Sequence, residues 1–280
     1  MLMAIHFNTR QALLFASLLL LVAVVPAVMD YWLESLPFAR IPEVTSLTAG
    51  LISTGFALAG FVIWFFYIRE DARGTGIRTR VLFALCASGA FSALLFSVLK
   101  SFTPLFALSS PSGTWEYFAE VFVREGLAEE SLKIVVFFTA LRWFCKELTG
   151  QKLLVSAAMV ALGFSALENL LYYIHRACGN PFFTRLIFST AGHISRTALA
   201  VSVLILFASS SRLRRTIAFT TGLITVVALH ALWNFSIRVY SDWQAGELFR
   251  LIILLLLVLL WRLVITDNQK ESQSPEITQA

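Results

Sequence analysis

Long apolar segments that lack charged residues constrain this chain more than any other feature of its sequence. Residues 81–99, 153–167 and 216–229 contain no Asp, Glu, Lys or Arg. Of the 280 residues, 58% are hydrophobic and only 14% are charged, too small a charged share to cover the surface of a soluble domain. The segments show no alternation of polar and apolar residues, so the elements that cross the membrane are predicted to be helices.

A spanning helix needs about 20 apolar residues, and eight segments of the chain meet this requirement. Their approximate bounds are 11–29, 45–68, 81–100, 122–144, 153–175, 183–208, 214–237 and 247–265. The first resembles a signal peptide, but it is too long and no small-residue cleavage site follows, so we expect it to remain as a span. The predicted fold is an all-α polytopic membrane bundle, with residues 1–266 as one domain and 267–280 as a disordered polar tail.

The charged loops predict the orientation of this bundle. One face, which carries both termini, collects thirteen basic residues against six acidic ones, whereas the other collects seven basic and eight acidic. Cytoplasmic loops are enriched in Lys and Arg, so both termini are predicted to be cytoplasmic, as an even number of spans requires.

Several other classes of protein do not fit the sequence. The pI is near 9.3, but the basic residues are scattered over short loops, which argues against nucleic acid as a partner. Cys86, Cys145 and Cys178 have no C-x-x-C spacing, so neither a disulfide framework nor a thiolate zinc site is expected. The bilayer itself is the first predicted partner.

Nine polar residues nevertheless fall inside the predicted spans four to seven. An ionised side chain at the middle of a span costs at least about 2.5–3.5 kcal/mol, so such groups normally face the bundle interior and mark a pathway or reactive site. The set is Glu129, Glu130 and Lys133; Glu168 and Asn169; His193 and Arg196; His230 and Asn234.

The predicted orientation places these groups at one depth. Glu168 lies about 22 Å along the outward-running fifth span, and His193 lies about 15 Å along the inward-running sixth. Glu129 and Glu130 occupy the first turns of the inward-running fourth span, and His230 the outer half of the seventh. The sequence therefore predicts one polar layer between the middle of the bilayer and its outer surface.

Helical spacing suggests partners within this layer. Residues three or four apart share a face, so Lys133 can neutralise either Glu129, four residues before it, or Glu130. Glu168 can pack against Arg196 of the next span. A solvated start of the fourth helix is expected at Glu116, Glu120, Arg124 and Glu125.

Four motifs in these spans resemble those of the PrsW family of intramembrane proteases, which shares a superfamily with CAAX prenyl endopeptidases and bacteriocin-processing enzymes. They are Glu129-Glu130-x-x-Lys133, Phe164-x-x-x-Glu168-Asn169, the isolated His193, and His230-x-x-x-Asn234. CAAX enzymes usually carry E-E-x-x-x-R and F-x-x-x-H; here Ile134 and Glu168 depart from that pattern and favour the PrsW branch. The resemblance covers roughly residues 120–240. It implies a bacterial plasma-membrane enzyme that cleaves a transmembrane or membrane-anchored protein near its extracytoplasmic end.

The residues themselves favour hydrolysis by a carboxylate-activated water. Glu129, on the face of Lys133, is the predicted base and Glu130 its partner, although these roles can be reversed. His230 and Asn234, one turn apart, can donate hydrogen bonds to the oxyanion. In the same layer, His193 can orient water or protonate the leaving amine, and Glu168 can fix a histidine tautomer; Asn169 and Arg196 support them.

Three alternatives remain open at this point. The first is the same reaction with a divalent metal such as zinc, held by Glu129, Glu168, His193 and His230, although no H-E-x-x-H motif is present. The second is a proton- or ion-coupled transporter, in which buried carboxylates and histidines are equally typical. The third is a scaffold without catalytic activity, since the family also resembles the scaffold subunit of gamma-secretase.

Overall fold

Helices make up almost all of the described part of the chain. The structure, a computed structural model, describes residues 46–102, 113–145, 150–176, 185–208 and 210–239. Its α-helices are α1 (Ser46–Ala72), α2 (Thr79–Phe102), α3 (Thr114–Val121), α4 (Ala128–Phe144), α5 (Gly150–Arg176), α6 (Thr190–Leu206) and α7 (Arg212–Val239). No strand occurs within these ranges. The predicted all-helical class is therefore confirmed.

Two π-helical turns interrupt this α-helical pattern. The first turn, Phe122–Leu127, joins α3 to α4 without a break, and the second, Arg185–Ser189, leads into α6. The helix that contains the predicted fourth span therefore begins at Thr114, earlier than expected. The π-helical turn changes its register shortly before Glu129. Turns of this kind often occur at functional sites, because the extra residue per turn redirects neighbouring side chains.

The helix α5 lies at the centre of the bundle. Every residue from Leu154 to Ser165 is buried, and the helix packs against α1, α2, α4 and α6. A helix that is apolar on all sides is expected to be surrounded by protein or lipid. The helix α6 packs on both α5 and α7, and α4 contacts α2, α5 and α7. This arrangement brings the inner faces of α4 to α7 together.

Two glycines set the distance between α2 and α5. A Cβ atom at Gly89 would overlap the carbonyl oxygen of Val160, and one at Gly163 would overlap the carbonyl oxygen of Cys86. The two backbones are therefore in direct contact, as small residues allow between membrane helices. Since α5 also carries Glu168, this crossing fixes the position of one wall of the polar layer.

We expect Gly163→Ala to destabilise the protein by about 1–3 kcal/mol or more, because the added methyl group meets backbone that no rotamer change can move aside. Thermal unfolding of the detergent-solubilised protein measures the effect. Gly55→Ala is the matched control: nothing lies within 4 Å of a Cβ atom there, and the helix propensity of alanine favours it. Equal melting temperatures for the two variants would contradict the close crossing.

The outer surfaces of the helices fit a lipid environment. Large apolar side chains are exposed on α1, α2, α4 and α7, among them Ile63, Phe91, Val135 and Ile224, whereas soluble monomers rarely expose extended apolar surfaces. Within the described ranges, three helical segments are long and apolar enough to cross a membrane: Thr79–Lys100, Gly150–Tyr172 and Arg212–Ser236. They coincide with the predicted third, fifth and seventh spans, and the chain is an integral membrane protein.

The described residues include only some of the other predicted spans. The predicted second, fourth and sixth spans are helical over α1, α4 and α6, and α6 is a shorter apolar helix of Thr190–Leu206. The predicted first and eighth spans and the polar tail lie outside the described residues. Cys86 and Cys145 are free, and Cys178 also lies outside the described ranges.

Candidate active site between α4, α5, α6 and α7

The polar residues singled out in the sequence lie together inside the bundle. Seven of them expose 4% of their surface or less: Glu129, Glu130, Lys133, Asn169, His193, Arg196 and His230. The side chain of Glu168 is 30% exposed, and Asn234 is half-buried. Buried charges are tolerated only when they are paired or hydrogen-bonded, so the contacts of each group show how this cluster is stabilised.

Glu130 is held on one oxygen by three nitrogen groups. Its Oε1 atom lies 2.6 Å from Lys133 Nζ, 2.8 Å from His230 Nδ1 and 3.4 Å from Arg196 Nε. The spacing in the sequence favoured Lys133 as a companion of Glu129, but in the structure its direct ion pair is with Glu130. Lys133 pairs with the glutamate three residues before it rather than the one four residues before it, because its Nζ atom also contacts His193 on α6.

Glu129 has a different environment from its neighbour. Its Oε2 atom is buried and has no hydrogen-bond partner among the residues that the structure describes. The nearest nitrogen of a histidine, His230 Nε2, lies 3.7 Å away, which is too long for a hydrogen bond. Glu130 Oε2 is also buried without a hydrogen-bond partner among the described residues, so the two glutamates differ in their ion pairs: Glu130 is fixed through Oε1 by three nitrogen groups, whereas Glu129 has the longer contact with His230.

The two histidines face each other at nearly right angles, with ring centroids 5.5 Å apart. Lys133 Nζ lies 3.0 Å from His193 Nδ1, and an ammonium group can only donate, so Nδ1 accepts and the ring proton resides on Nε2. That nitrogen lies 3.1 Å from Glu168 Oε2 and donates to it. The hydrogen-bond partners therefore assign the tautomer of His193.

His230 has the opposite tautomer by the same reasoning. Its Nδ1 atom lies 2.8 Å from the carboxylate of Glu130 and donates to it, so in the neutral ring Nε2 carries the lone pair and faces Glu129. A carboxylate behind the donating nitrogen of a histidine is also the usual arrangement around metal-ligating histidines.

Phe164 forms an apolar wall next to these groups. Lys133 Nζ lies 4.5 Å from the centroid of its ring, a cation–π contact. The ring of His193 lies 5.4 Å from it, centroid to centroid. The aromatic residue one turn before Glu168 thus limits the space around both nitrogen groups and holds them at a fixed distance.

Glu168 pairs with a residue that the sequence interpretation did not select. Packing against Arg196 was the expected alternative, but Arg185 Nη2 lies 3.0 Å from Glu168 Oε2, while Arg196 contacts Glu130. Arg185 Nε also donates to Asn169 Oδ1 at 3.1 Å. The Nδ2 atom of Asn169 lies 3.1 Å from Thr190 Oγ1, so the asparagine ties α5 to the start of α6.

Asn234 likewise contacts an unexpected partner. Its Nδ2 atom donates to Glu125 Oε2 at 2.8 Å. Glu125 was predicted to lie in a solvated segment but is half-buried, because the first π-helical turn faces α7. Gly126 makes this approach possible: a Cβ atom there would lie 2.8 Å from the carbonyl oxygen of Val227.

A family model described as the PrsW family of intramembrane metalloproteases matches residues 78–263. The chain belongs to this family. The match includes all four motifs and extends over the predicted third span and most of the eighth. No curated protein and no solved structure matches the chain.

Membership of the PrsW family makes this protein an intramembrane peptidase, whose substrates are membrane-embedded proteins. It also gives the buried cluster a chemical context. The two residues missed from the sequence, Glu125 and Arg185, lie in the two π-helical turns of this PrsW-family protein. Both are charged residues within the outer ends of predicted spans, so their depth near the polar layer was the signal that could have selected them.

Proposed function

We propose that this PrsW-family peptidase hydrolyses peptide bonds with a water molecule activated by Glu129. The observation that supports this assignment is the difference in ion pairing between the two neighbouring carboxylates: Glu130 Oε1 is engaged by Lys133, His230 and Arg196, while the contact of Glu129 Oε2 with His230 Nε2 is 3.7 Å long. A general base needs free lone pairs within reach of the water whose proton it takes. Both carboxylates keep an Oε2 atom without a hydrogen-bond partner among the described residues, but the charge of Glu130 is held by three nitrogen groups, so Glu129 is the better candidate for the base.

In the proposed reaction, the number of protons is balanced: one proton leaves the water and one is delivered to the leaving amine. Glu129 takes a proton from water as the oxygen attacks the carbonyl carbon of the substrate, which gives a tetrahedral intermediate with a negatively charged oxygen. When the C–N bond breaks, a proton passes to the leaving amine from Glu129 or through His193. Glu168 accepts the Nε2 hydrogen bond of His193 and keeps its ring in place.

Asn234 and His230 are the proposed donors to the negatively charged oxygen. Asn234 has two N–H groups on Nδ2, and Glu125 accepts only one of them, so the other remains for the substrate. His230 can donate from Nε2 only when both ring nitrogens carry protons, since Nδ1 already donates to Glu130.

A metal-dependent form of the same reaction is the second candidate, and one observation favours it besides the family description. Glu129, Glu168 and His193 each offer one ligand atom, and the three atoms lie within 4.8 Å of one another. Two carboxylates and an imidazole suit zinc, and the unpartnered oxygen of Glu129 fits a ligand. We propose these three residues as the holders of a divalent metal, with His230 as a further candidate. Bound zinc supplies Lewis acidity toward the water and the carbonyl group.

The tautomer of His193 adds a requirement to the metal-dependent form. Its Nε2 atom carries a proton while Lys133 donates to Nδ1, and a metal ligand must be unprotonated at the ligating nitrogen. Binding of a metal is therefore expected to displace the proton on Nε2 of His193. The polar groups next to this ring are Lys133 and Glu168.

The arrangement of the chain in the membrane is also part of the proposal. We infer eight spans with both termini in the cytoplasm of a bacterium, a single domain over residues 1–266, and a site that opens near the extracytoplasmic side. The charge bias of the loops supports this orientation. The positions of Glu129, Glu168, His193 and His230 on four neighbouring helices support one shared depth.

Cleavage of single-span substrates by the reconstituted protein tests the proposal. We expect the wild type to cleave, and Glu130→Gln, His193→Ala and His230→Ala to lose cleavage at normal expression, as followed by mass spectrometry of the products. Full activity in all three variants would reject the site. Activity that survives strong chelators, with no zinc in the purified protein, would reject the metal-dependent form and leave the carboxylate mechanism.

A further inference from the structure

Arg185 makes three contacts with the outer end of α5. Its Nη2 atom lies 3.0 Å from Glu168 Oε2, its Nε atom donates to Asn169 Oδ1 at 3.1 Å, and its Cζ atom lies 4.0 Å from the centroid of the Tyr172 ring. The planar guanidinium group uses its edge for two polar contacts and its face for the ring, a combination that lysine cannot reproduce. The side chain is only 19% exposed.

The same oxygen of Glu168 receives both Arg185 and His193. Glu168 Oε2 lies 3.0 Å from Arg185 Nη2 and 3.1 Å from His193 Nε2. The contacts continue from His193 Nδ1 to Lys133 and from Lys133 to Glu130. A connected series of polar contacts thus runs from Arg185 at the rim of the site to the carboxylate next to the proposed base.

Glu168 needs such a partner more than the other acidic residues of the site. Its side chain is 30% exposed, compared with 5% for Glu129 and 1% for Glu130. A glutamate that reaches water can turn away from His193, because hydration of its carboxylate competes with the single hydrogen bond from Nε2. Arg185 opposes this movement, since its position is fixed by Asn169 and Tyr172.

We propose that Arg185 is a positioning residue of the active site: it holds Glu168 against His193 and so fixes the orientation of the imidazole ring. This inference rests on the proposed function for its effect on catalysis, but the effect on His193 is independent of any cleavage. Outer-shell partners of metal-ligating histidines typically contribute about 10- to 100-fold to activity, and we expect an effect of the same size here.

A purely structural clamp between α5 and the start of α6 would explain the same contacts. The two explanations differ in their dependence on Glu168. A positioning residue loses its effect when Glu168 is absent, whereas a clamp still acts through Asn169 and Tyr172. They also differ at His193, whose hydrogen bond a clamp would leave unchanged.

The experiment compares the full-length wild type with Arg185→Ala, Glu168→Ala and the double variant. We expect Arg185→Ala to lower kcat by about 10- to 100-fold with little change in KM, and to have less than about a twofold further effect in the Glu168→Ala background, as double-mutant cycles of coupled residues show. Arg124→Ala is the control, because Arg124 is a half-buried arginine whose ion pair with Glu120 involves no residue of the proposed site; the activity of this variant should stay near that of the wild type.

Nitrogen NMR of ¹⁵N-histidine-labelled protein completes the test, with His193→Gln used to assign the signal. We expect Arg185→Ala to shift the His193 Nε2 resonance in the same direction as Glu168→Ala, and Arg124→Ala to leave it unchanged. Unshifted His193 signals or additive losses of kcat would overturn the positioning role. If the wild type cleaves no substrate, the proposed function fails, while the shift of His193 still decides the role of Arg185.

Discussion

Glu129→Gln is expected to lower cleavage of membrane substrates by roughly 10²–10⁴-fold, the usual contribution of a general base, while the protein keeps its expression level and melting temperature. The amide cannot take a proton from water, so the chemical step is lost. The fold should survive because Glu129 Oε2 makes no hydrogen bond in the structure. Rates of product formation in proteoliposomes, measured beside thermal unfolding, give both quantities.

Two further variants make this prediction specific. Glu120→Gln, which removes a carboxylate paired with Arg124 at the rim, should cleave at nearly the wild-type rate. Glu130→Gln should lose activity and also melt at a lower temperature, because it disturbs contacts with Lys133, His230 and Arg196. An active Glu129→Gln enzyme, or an inactive Glu130→Gln enzyme of unchanged stability, would exchange the proposed roles of the two residues.

The depth of the polar groups could be predicted from the sequence because it depends on few quantities. The rise per residue of a helix and the direction of each span place Glu129, Glu168, His193 and His230 at one level. The structure brings these side chains into one cluster. A charged residue in an apolar helix is so costly that it has to face its counterparts, which makes this part of the arrangement independent of loop details.

The choice of partners within the cluster could not be predicted in the same way. Lys133 can reach either neighbouring glutamate by helical spacing, and only the position of His193 on another helix decides for Glu130. Glu125 and Arg185 owe their places to π-helical turns, which have no reliable signature in one sequence. Spacing rules that assume 3.6 residues per turn therefore fail at these two positions.

The close packing of helices could be predicted from the sequence only in part. Gly89 and Gly163 are visible as small residues in apolar segments, and such residues are frequent where membrane helices approach closely. The sequence does not say which two helices meet through them. In the structure they join α2 to α5, and this contact supports the helix that carries Phe164 and Glu168.

Lys133→Met is the substitution for which we expect the largest loss of stability, about 3–5 kcal/mol, because it removes one partner from buried ion pairs. Lys133 is fully buried and contacts Glu130 at 2.6 Å and His193 at 3.0 Å. Methionine fills a similar volume, so the loss would come from the uncompensated carboxylate and the unpaired Nδ1 atom rather than from a cavity. Thermal unfolding in detergent measures the change.

The double variant Lys133→Met/Glu130→Gln separates charge from packing. With both charges removed, the carboxylate no longer lies buried without its ammonium partner, so the double variant should be more stable than Lys133→Met alone, although both should be inactive. Lys100→Met is the control, since Lys100 is exposed and its Nζ atom lies 5.8 Å from the centroid of the Phe96 ring. A Lys133→Met protein as stable as this control would mean that Arg196 and His230 suffice to compensate Glu130. In that case the role of Lys133 would be confined to the tautomer of His193.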